Sequence, residues 1–331
     1  MTCEANPARF GMVRALAAAC AACATAGVIA QNTGTAAGLS TSAKTEVPST
    51  ALARTAEPPG QTLQRIQATG RVVIGHRESS LPMSYVANGV PVGYSVDVCL
   101  QIAQAIGRHL QRRDLRVDYR QVTSGNRFEA IERGDVDLEC GSTTNTAARR
   151  QRVAFTIAHF IASSRIVVQS QRPFERIEDL DGKTVASTVG TTNIDSLARE
   201  AANKSVRLRI EPARDHAEGF GWVVDGRVDG FAMDDVLLYG LRASHARPQD
   251  LKVIGKPMTI EPYAVAFERN DPALKAVVDA ELRRLIQTRE LHRLYDKWFT
   301  QPIPPHGINL GMRMSHLLVD SLRYPSDFVP Q

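Results

Sequence analysis

The chain has 331 residues and a formal net charge of +5, with both signs interspersed and no long basic run. That distribution argues against a nucleic-acid partner, whose binders gather cations in one tract or on one face. Arg9 and Arg14 precede an uncharged, alanine-dominated run from Ala15 to Ala30. This is the layout of a secretory signal over residues 1–30, with Ala24-Thr25-Ala26 or Val28-Ile29-Ala30 as the cleavage site. The run falls short of the roughly 20 strongly apolar residues that a membrane anchor needs. Lipidation at Cys20 or Cys23 is the other alternative, and neither cysteine has a Leu three residues before it. Residues 31–60 are rich in Thr, Ala, Ser, Gly and Pro without apolar periodicity, the composition of a flexible spacer. Folding is expected to start near Thr62, leaving about 270 residues, enough for two ordinary domains.

Once the signal is set aside, Cys99 and Cys140 remain. In an oxidising compartment they either form one disulfide or stay as two buried thiols that behave as small hydrophobes. The order of elements then follows from periodicity. Arg71 to Gly75 is a short β-branched strand, and Gly93 to Leu110 places Val96, Cys99, Ile102, Ala103 and Ile106 at helical spacing, with Ser95 or Asp97 near its start as a cap. A strand at Val117–Val122, a short helix stopped at Gly134 and a strand at Val136–Glu139 complete the first unit. After Arg165–Gln169 the alternation restarts, with strands near 184–186, 206–210, 230–233 and 263–267. Of the intervening helices, the first opens with Thr188–Thr192 and runs to about Ala202, the next begin at Ala217 and at Val236, and two more follow at 272–288 and 291–299. Two α/β lobes fit this order, the first over 61–168, the second over 169–261, and a return to the first with a tail over 262–331. The implied crossings lie near Val168 and Pro262. In such mostly parallel sheets ligands sit at the carboxyl ends of the strands.

The loops at those ends carry the most specific stretches. They are Gly75-His-Arg-Glu-Ser-Ser80 with Pro82, Gly93-Tyr-Ser-Val-Asp97, Thr123-Ser-Gly-Asn-Arg127 and Leu138-Glu-Cys-Gly-Ser-Thr-Thr-Asn145. The second half adds Gly190-Thr-Thr192, Asp215-His216, Met233-Asp-Asp235 and Lys297-Trp-Phe299 with Pro302-Ile-Pro-Pro305. In number, order and spacing they resemble the amino-acid-binding proteins of ABC importers, family 3 of the solute-binding proteins, and within it the glutamate/aspartate-binding type. The resemblance implies a type II periplasmic-binding-protein-like fold, two α/β lobes around a cleft with two hinge crossings. It further implies a monomer without cofactor or metal, located in the periplasm, that passes L-glutamate or L-aspartate to a permease in the inner membrane.

By the same resemblance Arg77, Ser124 and Arg127 contact the ligand from the first lobe, and Ser142, Thr144 and Arg149 continue that wall. Thr188 and Thr191 are expected where a helix begins, His216 against the side-chain carboxylate, and Asp234 on the ligand ammonium, with Asp235 as its competitor one register away. The chemistry agrees with these types. A guanidinium binds a carboxylate through a planar fork, and each charge-assisted bond contributes roughly 1.5 to 3 kcal/mol. Trp298 and Phe299 read as packing residues. An enzyme on the same scaffold, such as a dehydratase of cyclic carboxylates, would need a general acid, for which Glu78, Glu139 and His216 are the candidates. A sensory domain would need a transmembrane segment after the second lobe; residues up to Gln331 hold none, so any signalling is expected to pass through a separate partner.

Overall fold

The computed structural model describes residues 61–329, so the signal and spacer read from residues 1–60 lie outside the described part. Its two five-stranded sheets repeat one plan. In the first, Arg71–His76 lies between the parallel strands Arg116–Gln121 and Leu138–Glu139, followed by the antiparallel Ala266–Glu268 and then Val153–Phe155. In the second, Thr184–Thr188 lies between the parallel strands Arg209–Ala213 and Gly230–Asp234, followed by the antiparallel Ser164–Gln169 and then Leu251–Ile254. Three parallel strands per sheet, each feeding a loop, aim six loops at one region.

The strands read as they do because they are covered by helices. Val72, Ile74 and Leu138 of the first sheet and Val185, Phe231 and Met233 of the second are buried, as expected where helices shield a parallel sheet. Helix Tyr94–His109 packs on Arg71–His76 and against the helices Pro272–Gln287 and Glu290–Phe299. Near the crossing, Phe160, Tyr295 and Phe299 stack with Tyr94 edge-on, the Tyr295 and Phe299 centroids 4.2 Å apart. Trp298 is buried beside them, and its indole N–H donates to Asp97 at 2.7 Å. Cys99 and Cys140 are bonded, tying helix Tyr94–His109 to the loop after the third strand.

The structure departs from the sequence reading at the first crossing. Val168 is internal to strand Ser164–Gln169 of the second sheet and pairs with Lys252. The chain instead crosses at Phe160–Ala162, which pairs antiparallel with Glu261–Tyr263. An apolar run such as Ile166–Val168 does not say which sheet it joins, and a three-residue strand leaves no periodicity to find. The second-lobe strand expected at 206–210 falls at Arg209–Ala213, and the short strands Ser84–Ala87, Val90–Val92 and Leu251–Ile254 went unread for the same reason. The helices Gln61–Thr69 and His316–Arg323 were also unread. The latter is capped by Ser315, buries Leu318 and Leu322, and packs on the crossing strand Phe160–Ala162. Beyond it Asp327 pairs with Lys275 at 3.0 Å. Among the described residues no helix is long and apolar enough to cross a membrane.

Candidate functional site

Each parallel strand delivers a polar group at its carboxyl end. Arg77 follows Arg71–His76, Ser124 and Arg127 follow Arg116–Gln121, and Ser142 and Thr144 follow Leu138–Glu139, with Arg149 opening the next short helix. From the other sheet, Thr188 ends one strand, His216 opens the helix after Arg209–Ala213, and Asp234 ends Gly230–Asp234. Seven of these, namely Ser124, Arg127, Ser142, Thr144, Arg149, His216 and Asp234, line one cavity together with Thr191, Thr192 and Met233. The cavity measures about 10 Å³, room for about one water. A far larger groove of about 930 Å³ runs along Leu100, Arg108 and Leu115, but none of its charged lining residues is buried.

The first wall is dominated by guanidinium groups in low dielectric. Arg77 is buried and donates to Ser124 Oγ at 2.5 Å. Arg127 is buried, donates to the Ser124 carbonyl and, at 3.0 Å, to the Gly190 carbonyl of the opposite wall, and leaves Nε without a partner. Arg149 donates to the Thr144 carbonyl at 2.9 Å and to Gly190 at 3.2 Å. The Arg127 guanidinium also sits 4.5 Å from the centre of the Phe128 ring. Burial holds the Arg127 pKa well below its ordinary value, and the charges of Arg149 and Arg77 add to that effect. Burial also lowers Arg77, opposed chiefly by the charge of Glu139. The walls touch at Gly190, where φ is +73° and an added Cβ would lie 2.5 Å from the Ser124 carbonyl oxygen. Only glycine fits that approach.

Among the described residues that line the cavity, the second wall contributes no Lys or Arg. His216 is buried, with Nδ1 2.9 Å from Thr188 Oγ1 and Nε2 without a partner. Burial, then the charges of Arg77 and Arg127, hold its pKa well below the ordinary histidine value, so the imidazole is neutral. Asp234 is buried and takes Asn193 Nδ2 at 3.0 Å and the Tyr263 hydroxyl at 2.5 Å. Burial, with the charges of Glu261 and Asp235, pushes its carboxyl up to about 7 against the pull of those two hydrogen bonds. Asp235 turns away to accept from the Ser163 N–H at 3.1 Å. Thr191 Oγ1 donates to the Thr188 carbonyl, and Thr192 Oγ1 to Glu261 at 2.9 Å.

Two of the ten expected residues stand outside the cavity lining. Arg77 lies behind Ser124, and Thr188 is not at a helix start: it closes strand Thr184–Thr188 and contacts His216, while the helix begins at Asn193. That helix has no side-chain cap, which leaves its first amides free of a capping oxygen. Of the acids weighed for catalysis, Glu78 is exposed and accepts from Gln121. Glu139 is fully buried with neither oxygen hydrogen-bonded. It flanks the Arg77 side chain across Gly141, whose missing Cβ would lie 2.4 Å from Glu139 Oε1 and 2.8 Å from Arg77 Cγ. Sequence reasoning missed Thr192, Met233, Asn193 and Tyr263. Met233 and Thr192 stood inside stretches already singled out, whereas nothing about an apolar strand signals that Tyr263 reaches a carboxylate.

Residues 72–301 match the family described as bacterial extracellular solute-binding proteins, family 3. The chain is 39% identical over 268 residues to the L-glutamate/L-aspartate-binding protein of Pseudomonas aeruginosa, covering 80% of this chain and 89% of that one. It is 35% identical over 269 residues to the glutamate/aspartate import solute-binding protein of Escherichia coli, covering 81% and 89%. Among solved structures it is similar to a mutant of ArgBP from T. maritima, with 25% identity and a TM-score of 0.63 over 72% of this chain and 98% of that one. It is also similar to an ancestral amino-acid-binding protein that is a precursor of cyclohexadienyl dehydratase, with 25% identity and a TM-score of 0.61 over 72% and 100%. Two repeated sheets, six converging loops and this extended match lead to one assignment: the chain belongs to the bacterial extracellular solute-binding proteins, family 3.

Proposed function

We propose that this protein is the periplasmic substrate-binding component of an ABC importer for acidic amino acids, capturing L-glutamate or L-aspartate as a monomer and delivering it to the permease. The observation that carries this reading is a division of charge across one cavity: Arg127 and Arg149 on one wall with Arg77 behind Ser124, and a buried carboxylate and a neutral histidine on the other. An acidic amino acid presents two carboxylates and one ammonium, which that arrangement matches. The 35–39% identity to proteins named for glutamate and aspartate supports it.

Arg77, through Ser124, together with Arg127 and Arg149, meets the carboxylates. The amides at the start of helix Asn193–Asn203, near Thr191, add donors at the positive end of a helix. A Thr188 hydroxyl that donates to Nδ1 of His216 keeps the proton on Nε2, which then donates to the side-chain carboxylate. Asp234 accepts the ammonium. With about 10 Å³ left between the walls, the ligand enters only when the lobes part. The Gly190 carbonyl then releases Arg127 and Arg149 to the incoming carboxylate. Closure follows because only the closed form lets both walls bond the ligand at once.

A binding role needs no proton transfer, and the placement of Glu78 at the surface and Glu139 away from the cavity lining favours it over a dehydratase. Asp234 remains as the acid at the cavity, so the test includes a ligand for the enzymatic reading. Calorimetry of the secreted form with glutamate, aspartate, glutamine and a cyclic dicarboxylate, the last also assayed for turnover, separates the two. We expect micromolar or tighter binding of an acidic amino acid, about 8 kcal/mol or more. Failure of both acidic amino acids to bind would overturn the reading.

A further inference from the structure

The crossing strand Glu261–Tyr263 does more than connect the lobes. Its backbone is stitched to the first wall: the Asn145 N–H donates to the Pro262 carbonyl at 2.8 Å, the Ala264 N–H donates to the Thr143 carbonyl at 3.1 Å, and Tyr263 bridges Thr144. Its alternate side chains reach the second wall. Glu261 accepts from Thr192 and Tyr263 donates to Asp234, two residues apart as the pleat requires for side chains on one face. Both are buried. We infer that this strand is part of the binding machinery: Tyr263 is a positioning residue that fixes the Asp234 carboxylate for the ligand ammonium, and Glu261 acts on the same carboxylate through its charge.

The inference rests on the acidic amino-acid reading and deepens it. With one Asp234 oxygen held by Asn193 and the other by Tyr263, each retains a lone pair, and the carboxylate plane is fixed before the ammonium arrives. A hydrogen bond to the ionised form favours it, and a neighbouring anion opposes it. The groups acting on Asp234 are Tyr263 and Glu261 from the crossing strand, Asn193 from the second-lobe helix and Asp235 from its own helix. Arg127 and Arg149 act from the first wall, and neutral His216 lines the same cavity. Because the carboxyl is held near 7, an ammonium that demands its ionised form drives a proton off, and affinity falls about tenfold per pH unit below that point. The closed lobes share the strand that sets this value, so ligand charge and lobe geometry are read by one element.

The test is calorimetric titration with glutamate and aspartate between pH 5.5 and 8.5, on the wild type, Tyr263→Phe and Glu261→Gln. Tyr263→Phe removes one donor and should raise the midpoint of the affinity profile by about one unit, with roughly tenfold weaker binding at pH 6.5 that recovers to within about threefold at pH 8.5. Glu261→Gln keeps an acceptor for Thr192 but removes the anion, so its midpoint should move down. A pH-independent loss in Tyr263→Phe, or no loss, would assign it a purely structural role and overturn the inference. If Tyr263→Phe does not fold, an unmoved midpoint in Glu261→Gln overturns it equally. A wild type that binds neither amino acid fails the functional reading instead, which keeps the two failures apart.

Discussion

The two walls of the cavity solve opposite electrostatic problems. The first holds three like charges in low dielectric, with Arg127 depressed by burial and by its own neighbours Arg149 and Arg77. The second holds a neutral imidazole and a carboxyl that burial and nearby anions drive toward protonation. In each wall burial disfavours the charged form, of guanidinium in the first and of carboxylate in the second. On the proposed reading, a zwitterion with an extra carboxylate would relieve both at once, and selectivity would follow from meeting a cationic and an anionic wall together. The walls also differ in anchoring. The loop that carries Ser142 and Thr144 is tied covalently through Cys140 to helix Tyr94–His109, whereas the second wall is held by hydrogen bonds alone among the described residues.

The covalent tie gives the largest expected effect. A disulfide that closes 41 residues contributes about 4 kcal/mol by restricting the unfolded chain. Cys99→Ser with Cys140→Ser should therefore lower denaturant stability by up to about that amount while changing glutamate affinity less than about threefold; a larger change in affinity than in stability would mean that the bond shapes the first wall. Next comes the removal of one charge from each wall. Asp234→Asn should leave the ammonium without its anion, and truncation of a buried charge pair costs roughly 2 to 5 kcal/mol, about a thirtyfold loss or more in calorimetry.

Arg127→Ala should lose at least about tenfold with folding retained, since Arg149 remains at the cavity and Arg77 behind Ser124; unchanged binding would remove Arg127 from the site. The unliganded stabilities sharpen the comparison. Asp234 has a folded value raised above its unfolded one, so the folded form binds the extra proton and the wild type loses stability as pH rises from about 4 to about 7. Asp234→Asn should abolish that slope, remaining level with the wild type at pH 4 and exceeding it at pH 8 in thermal melts. The smallest effect belongs to the neutral side of the second wall. Thr188→Val removes one hydrogen bond to His216, worth about 1 kcal/mol, and should weaken binding roughly fivefold.

Much of this is legible in the sequence. Strand ends are where open α/β sheets put their ligands, so Arg77, Arg127 and Arg149 could be singled out from the loops after short β-branched runs, whereas Ser142, Thr144 and Asp234 rested on the family resemblance. The choice between Asp234 and Asp235 could not be made from spacing. It turns on which carboxylate the backbone of Ser163, from a strand far away in the chain, captures. Thr188 is expected at a helix start by the resemblance, but the helix begins at Asn193 and the Thr188 side chain contacts an imidazole instead.

The sequence by itself determined the repeated α/β order, the arginines and hydroxyls at the strand ends, and the family, because these are local patterns of periodicity and residue type. Only the tertiary structure decided which sheet received strand Ser164–Gln169, that Cys99 and Cys140 met, that Gly190 seated against Ser124, and that Tyr263 reached Asp234. Each of those is a contact between segments distant in sequence, fixed by packing and by the burial of charge, and no local pattern encodes it.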